Sequence, residues 1–258
     1  MDLGLSGKIA LVTGGSKGIG FACAELLARE GCRVAISSRE RGNLDAAAAR
    51  LGGCFVNAAD LTSADEAARM IDAVEHEIGP IDILVNSAGA AKRTPPDDLD
   101  PAAWRAAMDA KFFTYIHAID PLIKRMAARQ SGVIVNVIGN GGKVASPTHI
   151  AGGAANAALM LATAGLANAY ASRGIRVVGI NPGLTNTDRV AEGLRAEARL
   201  SGTSPEESLK RALARIPLGR MAEPEEIARL VCFLASAQAS YVSGVAITMD
   251  GVTTPTIV

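Results

Sequence analysis

The segment that runs from an apolar stretch into a glycine-rich turn constrains the fold most. The apolar run Lys8–Thr13 leads into a turn with glycines at positions 14, 18 and 20, and a helical pattern, Gly18–Glu30, follows at once. Glycine permits a tight turn and lets a helix start directly behind a strand. The segment therefore predicts a strand, a turn and a helix, which is the first half of a βαβ unit.

The same alternation continues along the chain. Short runs rich in Val, Ile and Leu predict seven strands: Lys8–Thr13, Arg33–Ser37, Cys54–Asn57, Ile81–Asn86, Gly132–Ile138, Ile175–Asn181 and Val245–Met249. Longer patterns between them predict helices: Gly18–Glu30, Leu44–Leu51, Ala64–Ile78, Pro101–Arg129 and Ala154–Ser172. Strands continuous in branched apolar residues are typical of parallel sheets that are buried on both faces. We expect an α/β fold with a doubly wound, seven-stranded parallel sheet and helices on both faces.

Composition narrows the class of protein. No linker or repeat divides the 258 residues, so we expect a single domain over 1–258. A net charge of zero and 3% aromatic residues argue against a nucleic-acid partner. The four cysteines lack metal-ligand spacing, so we expect no metal site. The N-terminus lacks the pattern of a secretory signal, and polar residues interrupt the apolar stretch Ala154–Ala171; we therefore expect a cytoplasmic protein with no membrane span.

The glycine turn also has the chemistry of a phosphate site. Backbone N–H groups at a helix N-terminus carry partial positive charge, and glycine lets the backbone approach a pyrophosphate. This predicts a bound dinucleotide at six residues of the turn: Gly14, Ser16, Lys17, Gly18, Ile19 and Gly20.

Later motifs carry a family resemblance. They are Asp60 after the third strand, Asn86-Ser87-Ala88-Gly89 after the fourth, Asn181-Pro182-Gly183-Leu184-Thr185-Asn186-Thr187 after the sixth, and Gly219-Arg220-Met221-Ala222-Glu223-Pro224 and Asp250-Gly251 near the C-terminus. With the glycine turn they resemble the short-chain dehydrogenase/reductases, which have a Rossmann-like fold, over essentially the whole chain. The resemblance implies further cofactor-binding residues: Asp60, Leu61, Asn86, Ala88, Gly89, Asn156, Pro182, Gly183, Thr185 and Thr187.

Charge at the end of the second strand bears on which dinucleotide binds. NAD-binding members of such folds place a carboxylate there to hold the ribose 2′-hydroxyl. This chain has Ser37-Ser38-Arg39, with no acid, and Lys17 lies in the turn. Two cations can balance a 2′-phosphate, so we expect Ser38 and Arg39 to contact the cofactor and NADP(H) to be favoured over NAD(H).

The residues that the family uses for chemistry are absent. Its members rely on a Tyr-x-x-x-Lys pair, but the residues four places after Tyr115, Tyr170 and Tyr241 are Ile119, Gly174 and Val245. Counting back from Gly174 along the preceding helix, the resemblance puts the family positions as follows: Tyr at Gly152, Lys at Asn156, Ser at Gly139 and the helix Asn at Lys111. Glycine supplies only backbone groups, so another group would have to transfer the proton.

Two nearby residues are candidates for that role. We hypothesise that His149 is a displaced general acid/base and that Lys111 supports it or an oxyanion, while the amide of Asn156 holds a ribose hydroxyl. A surface position for His149 and a solvated charge for Lys111 are the competing interpretations, and both stay open.

Local signals predict further details. Pro121 should kink or end the first part of Pro101–Arg129. Pro147 and the pair Gly152-Gly153 should delay the start of the next helix. Ser63-Ala64-Asp65-Glu66 resembles a capping box. The segment from Leu184 to Pro205 looks like a substrate lid with a helical middle.

Three functions are compatible with these features. The leading interpretation is an NADP(H)-dependent oxidoreductase with an atypical active site, acting on a small carbonyl or alcohol substrate. The alternatives are a catalytically inactive NADP(H)-binding protein and a non-redox lyase or hydrolase that uses Lys111 and His149. The resemblance also implies a homodimer or homotetramer formed through the helices that begin near Pro101 and Ala154; packing of these helices within the monomer is the alternative.

Overall fold

One sheet organises the computed structural model, which describes residues 2–89 and 91–255, apart from the side chains of residues 196, 197, 199 and 200. Its strands are β1 Ile9–Thr13, β2 Arg33–Ser38, β3 Phe55–Ala58, β4 Ile83–Asn86, β5 Gly132–Val137, β6 Ile175–Pro182 and β7 Ala246–Met249. They lie in the order β3-β2-β1-β4-β5-β6-β7, and every neighbouring pair is parallel. All seven predicted strands are confirmed. The single domain over 1–258 stays a prediction, and it includes positions 1, 90 and 256–258, which lie outside the described residues.

Helices cover both faces of the sheet. They are α1 Gly18–Arg29, α2 Arg41–Arg50, α3 Ala64–Ile78, α4 Pro101–Met108, α5 Thr114–Arg129, α6 Ile150–Tyr170, α7 Asp188–Ser201, α8 Pro205–Leu213 and α9 Pro224–Ala235. On β1, Ala10 and Val12 join a core beneath α1 and α9, whereas Ile9 and Leu11 join a second core beneath α3, α5 and α6. Side chains of a strand alternate between faces, so both faces of the sheet are apolar and buried, as the continuous apolar strands predict.

The structure corrects two predictions about helix ends. Helix α5 does not end at Pro121 but continues through it, because Leu122 and Ile123 beyond it are fully buried in the core. A kink at Pro121 stays a prediction. The irregular segment is Asp109–Phe113, a π-helical turn between α4 and α5. Helix α6 starts at Ile150, upstream of the glycine pair at 152 and 153, since Ala151 is buried there and tertiary packing outweighs propensity.

Capping contacts explain other helix starts. Ser63 Oγ accepts from the Glu66 N–H at 3.3 Å, but the Glu66 carboxylate accepts from the Asp60 N–H at 2.8 Å, so the expected capping box is only half formed. Helix α9, which sequence reasoning missed, has a reciprocal box between Glu223 and Glu226. The Glu-Pro-x-Glu pattern before an apolar run was the signal for α9.

Helix α6 passes a simple test for a membrane span. The stretch Ile150–Arg173 is long and apolar enough by length and composition alone, and 44% of its most apolar window is buried within the fold. Its buried side includes Ala155, Leu159 and Ala167, of which Leu159 and Ala167 belong to the core that the helix shares with the sheet. We therefore interpret it as a core helix, as the sequence predicts.

Candidate cofactor and active site

A crevice forms where the strand order reverses. Strands β1 and β4 are neighbours whose following segments leave toward opposite faces of the sheet, and ligands of doubly wound folds bind at such a point. The turn after β1 is built closely against the segment after β4. Gly14 has a φ of 67°, and a Cβ there would lie 2.8 Å from the Ala88 nitrogen. A Cβ at Gly20 would lie 2.2 Å from the Gly14 oxygen. Glycine is therefore required at both positions.

The N-terminus of α1 is open to an anion. Lys17 is the N-cap residue but makes no side-chain cap, and the first turn contains no acidic residue. The N–H groups of the first turn have no partner within a helix, so they are available to a diphosphate. Thr187, the N-cap of α7, lies over the turn, because a Cβ at Gly18 would be 3.3 Å from its Cγ2 atom. The predicted residues Ser16, Lys17 and Ile19 all remain at least partly exposed there.

The end of β2 offers unpaired hydroxyl groups beside this turn. Ser37 accepts from the N–H groups of Gly14 and Gly15 through its backbone oxygen, at 2.7 and 3.2 Å. The hydroxyls of Ser37 and Ser38 are buried and lack a hydrogen-bond partner among the described residues. Arg39 follows and is exposed. Buried orphan hydroxyls are rare, and a ribose or phosphate would satisfy them.

Asp60 and Leu61 follow β3, the neighbour of β2 in the sheet. The Asp60 carboxylate accepts from the Thr62 N–H and hydroxyl at 3.0 and 2.9 Å. These two hydrogen bonds, with the charge of Arg39, hold the pKa of Asp60 below its usual value. Leu61 is buried, and its backbone oxygen lies 2.9 Å from His117 Nδ1. Asp60 is thus ionised and organises the loop near Arg39.

A row of buried polar side chains crosses the floor of the crevice. Thr13 Oγ1 donates to Asn86 Oδ1 at 3.3 Å, Asn86 Nδ2 to Asn136 Oδ1 at 3.0 Å, and Asn136 Nδ2 to Thr163 Oγ1 at 3.0 Å. The row joins β1, β4, β5 and α6. The side chain of Asn86 is therefore engaged within the protein, and its predicted cofactor role is limited to the floor that it supports. Gly89, at the end of the same motif, has a φ of 86° and is exposed.

The segment after β6 closes the crevice from the other side. Pro182 ends β6, and a Cβ at Gly183 would lie 2.8 Å from the Asp250 Cα. Thr185 is buried, and its hydroxyl donates to the Gly183 oxygen at 3.3 Å. Helix α7 then forms the helical middle that was expected between Leu184 and Pro205. That this segment acts as a substrate lid stays a prediction.

The imidazole of His149 occupies the space above Gly152. A Cβ at Gly152 would lie 2.2 Å from His149 Cε1 and 2.7 Å from each ring nitrogen. The ring also borders Gly141, whose Cβ would lie 3.0 Å from Cδ2. His149 Nδ1 is buried without a described hydrogen-bond partner. A glycine at 152 is thus what allows the imidazole to sit on the first turn of α6.

Asn156 lies next to this histidine. It is 5% exposed, and no described residue forms a hydrogen bond with its amide. Its Nδ2 atom would be 3.3 Å from a Cβ at Gly139 and 3.4 Å from one at Gly141. Because its amide is not engaged by another side chain, Asn156 remains a candidate for holding a ribose hydroxyl.

Lys111 is buried beneath the same region, not solvated. Its Nζ donates to the Tyr115 hydroxyl at 2.7 Å and to the Val137 oxygen at 3.1 Å, and Tyr115 also donates to Val137. Burial, followed by the positive charge of Arg189, lowers the pKa of Lys111 to about 7. Burial raises the pKa of Tyr115. The lysine is therefore close to losing its proton at neutral pH, whereas the tyrosine stays protonated.

Lys111 does not hydrogen-bond to His149 among the described contacts, but it acts on it through charge. Burial, then the charges of Arg93, Arg189 and Lys111, lower the pKa of His149. Sequence reasoning missed Tyr115, Arg93 and Arg189. The spacing Lys111-x-x-x-Tyr115, one helical turn, was a visible signal for the first. The two arginines had none, because topology alone brings them together.

Across residues 2–89 and 91–255, no three side chains of the His, Cys, Asp and Glu types are grouped closely enough to hold a metal ion.

Comparisons with known proteins place the chain in a family. Residues 14–253 match the family model described as Enoyl-(Acyl carrier protein) reductase. The chain is 36% identical to 2-(S)-hydroxypropyl-CoM dehydrogenase 3 of Xanthobacter autotrophicus, over 96% of each chain. It is 37% identical to cis-4-hydroxycyclohexanecarboxylate dehydrogenase of Sinomonas cyclohexanicum, over 95% of each. The protein belongs to the short-chain dehydrogenase/reductase family.

A solved structure agrees with this. The fold is similar to L-sorbose reductase from Gluconobacter frateurii complexed with NADPH and L-sorbose, with a TM-score of 0.90 and 30% identity, over 97% of this chain and 98% of that one. The Rossmann-like architecture that the sequence predicts is therefore confirmed.

Proposed function

We propose that this protein is an NADP(H)-dependent oxidoreductase that acts on a small carbonyl or alcohol substrate through an atypical active site. The observation that carries the proposal is the uncapped N-terminus of α1 behind a glycine turn, which opens on a crevice that also holds His149. The similar proteins have names that describe dehydrogenases and reductases of hydroxy and keto compounds. They favour this function over a cofactor-binding protein without turnover and over a lyase or hydrolase.

The choice of NADP(H) over NAD(H) rests on the end of β2. The orphan hydroxyls of Ser37 and Ser38 and the exposed guanidinium of Arg39 provide donors for a 2′-phosphate, and Lys17 adds a second cation from the turn. A carboxylate at the end of β2, which would repel that phosphate, is absent from Ser37-Ser38-Arg39. The similar reductase of L-sorbose was solved with NADPH.

The nicotinamide, when bound, supplies or accepts the hydride. The chain's own task is to move one proton at the substrate oxygen. His149 is the group placed for it, since its ring stands over Gly152, the position that corresponds to the family tyrosine. Asn156, at the position of the family lysine, orients a ribose hydroxyl. Gly139, at the family serine position, offers only backbone.

Lys111 has a supporting role in this proposal. A near-neutral amine can hold or release a proton at physiological pH, and Lys111 has a pKa of about 7. Its charge also acts on His149, so protonation of one opposes protonation of the other. In effect the chain exchanges the family's lysine and asparagine positions, with a lysine at 111 and an asparagine at 156.

Two measurements test the proposal. Calorimetry should show saturable binding of NADPH, tighter than NADH, and a panel of ketones and alcohols should change the nicotinamide absorbance. His149→Ala should lower kcat by roughly 10²–10⁴ with little effect on the NADPH dissociation constant. His76→Ala, which removes an exposed histidine on α3, is the matched control. Unchanged turnover in His149→Ala would remove the catalytic assignment, and absence of binding to either cofactor would remove the proposal.

We also propose that the protein is a cytoplasmic homodimer or homotetramer, assembled through the outer surface of α6. Ala154, Ala157, Leu161 and Gly165 are exposed along this surface, and Leu161 is 76% exposed. Small residues let two helices approach closely, and an exposed leucine among them gains from being covered.

A further inference from the structure

Three cationic side chains from three different parts of the fold act on His149 through their charge. Arg93 belongs to the loop after β4, Lys111 to the π-helical turn, and Arg189 to the first turn of α7. All three charges lower the pKa of His149, and no carboxylate is among the charges that act on it. Arg93 and Arg189 also repel one another. The side of the crevice near His149 therefore carries the lasting charges of two arginines, and that of Lys111 when it is protonated, although the chain as a whole has a net charge of zero.

Two hydrogen bonds join the loop that contains Arg93 to the residue that precedes His149. Arg93 Nη1 donates to the Thr148 hydroxyl at 3.3 Å, and the Thr94 N–H donates to the Thr148 oxygen at 3.0 Å. Thr148 immediately precedes His149. Arg93, which is exposed, is thus tied to the residue before His149, with most of its donors still unused.

Neither arginine has an acidic partner. Within the described part of the chain, no carboxylate oxygen lies within the 4.0 Å of an ion pair from Arg93, Arg189 or Lys111. Tyr115 and then Glu192, which is on the same helix as Arg189, act on Arg189 only through charge. Other arginines of the protein do have carboxylate partners, such as Arg125 with Glu75 at 3.0 Å. Like charges placed together without a counter-ion are costly unless a ligand compensates them.

We propose that Arg93 and Arg189 form a subsite for an anionic head group of the substrate, so that the substrate is a carbonyl or hydroxy compound that also carries a carboxylate, sulfonate or phosphate. The inference deepens the proposed function and rests on it. The two guanidinium groups would bind the anionic oxygens and leave the carbonyl or hydroxyl group of the same molecule beside His149. Guanidinium groups suit this task because their planar donors match two oxygens at once.

The three histidines of the chain allow a test that does not depend on turnover. The probe is sulfate, added to the protein alone, and the readout is the NMR titration of each imidazole, with His149 assigned from His149→Asn. A bound dianion should raise the apparent pKa of His149 by about one pH unit, because it opposes the cations that lower it. His76, exposed beside Glu77, reports the general effect of salt and should shift much less.

Variants test whether Arg93 and Arg189 cause the effect of sulfate on His149. Arg93→Gln with Arg189→Gln should abolish the sulfate effect and raise the pKa of His149 without sulfate. Arg105→Gln, which removes an exposed arginine from α4, should leave the effect unchanged. No shift with sulfate in folded wild-type protein, or a shift that survives in the double variant, would overturn the proposal.

The same titration separates a substrate anion from the diphosphate of the cofactor. With saturating NADP⁺ present, sulfate should still shift His149, since the cofactor phosphates belong at the start of α1. If NADP⁺ alone shifts His149 and prevents the sulfate effect, the arginines serve the cofactor and the substrate proposal is wrong. If NADP⁺ does not bind at all, the proposed function fails, whereas the sulfate shift still tests the subsite.

A comparison of turnover for charged and uncharged substrates provides a further test of the subsite. Matched pairs such as acetoacetate and methyl acetoacetate, or levulinate and methyl levulinate, differ by one negative charge. The acids should have the higher kcat/KM, and Arg189→Gln should raise KM for the acids roughly 10- to 100-fold while changing the esters little. Equal turnover of acids and esters would contradict the subsite and leave the oxidoreductase function intact.

Discussion

Gly152→Ala is expected to inactivate the enzyme without unfolding it. The added methyl carbon would lie 2.2 Å from His149 Cε1, where ordinary contacts are longer than 3.4 Å. The ring must therefore move away from its position on the first turn of α6. A histidine side chain can rotate, so the clash is relieved by displacement of the imidazole and the helix stays in place.

The expected effects of Gly152→Ala on stability and on turnover differ in size. Alanine in place of glycine stabilises a helix by up to about 1 kcal/mol, which opposes the cost of displacing the ring. We expect the free energy of unfolding to change by less than about 1 kcal/mol in either direction. Loss of a positioned proton donor lowers turnover by roughly 10²–10⁴, so kcat should fall at least tenfold and approach that of His149→Ala.

The assay combines urea unfolding with steady-state turnover of NADPH. Gly165→Ala is the matched control, because Gly165 lies on the same helix and a Cβ there would contact nothing within 4 Å. It should be as stable as the wild type or more so, with full activity. Wild-type turnover in Gly152→Ala would refute the idea that the imidazole must stand on this glycine.

Three further predictions concern other parts of the protein. Arg39→Ala should weaken NADPH binding roughly 10- to 100-fold in calorimetry and leave NADH binding nearly unchanged; equal losses would contradict its contact with the 2′-phosphate. Burial lowers the pKa of Lys111 to about 7, below its value in the unfolded chain. Above pH 7 the unfolded state therefore binds more protons than the folded state. The free energy of unfolding should then rise with pH until the lysine of the unfolded chain also loses its proton. In urea unfolding between about pH 7 and 10, the wild type should gain at most about 1.4 kcal/mol per pH unit over the Lys111→Met variant. The Lys210→Met variant, changed at an exposed lysine, should follow the same pH dependence as the wild type. Leu161→Arg should reduce the assembly measured by light scattering after size exclusion, whereas Tyr241→Arg, at another exposed apolar residue, should not; an unchanged mass in Leu161→Arg would contradict an interface on α6.

The sheet was predictable because its evidence is local. Each strand is a short run of branched apolar residues, and such runs are stable only when both faces are covered. The glycine turn was predictable for a similar reason, since a φ of 67° at Gly14 and the close approach at Gly20 admit no other residue. Helix α9 could have been found too, because Pro224 and its flanking glutamates mark its start.

The active-site details were not predictable from local patterns. The burial of Lys111 depends on the π-helical turn, which directs the amine toward Tyr115 and β5. The contact between His149 and Gly152 depends on where α6 begins, and helix propensity alone suggests a later start. The mutual repulsion of Arg93 and Arg189 depends on how the fold places the loop after β4 relative to the first turn of α7. These are consequences of tertiary structure, which a pattern of residues along the chain does not contain.

The buried row of Thr13, Asn86, Asn136 and Thr163 has a consequence for redesign of the protein. These hydrogen bonds join β1, β4, β5 and α6 beneath the crevice. They do not involve the residues at the rim of the crevice, such as Arg93 and His149. New substrate preferences can therefore be sought by exchanging rim side chains, since the alignment between cofactor turn and α6 is maintained from below. Replacing one asparagine of the row by leucine would leave its neighbour's amide unsatisfied and loosen that alignment, whatever the rim contains.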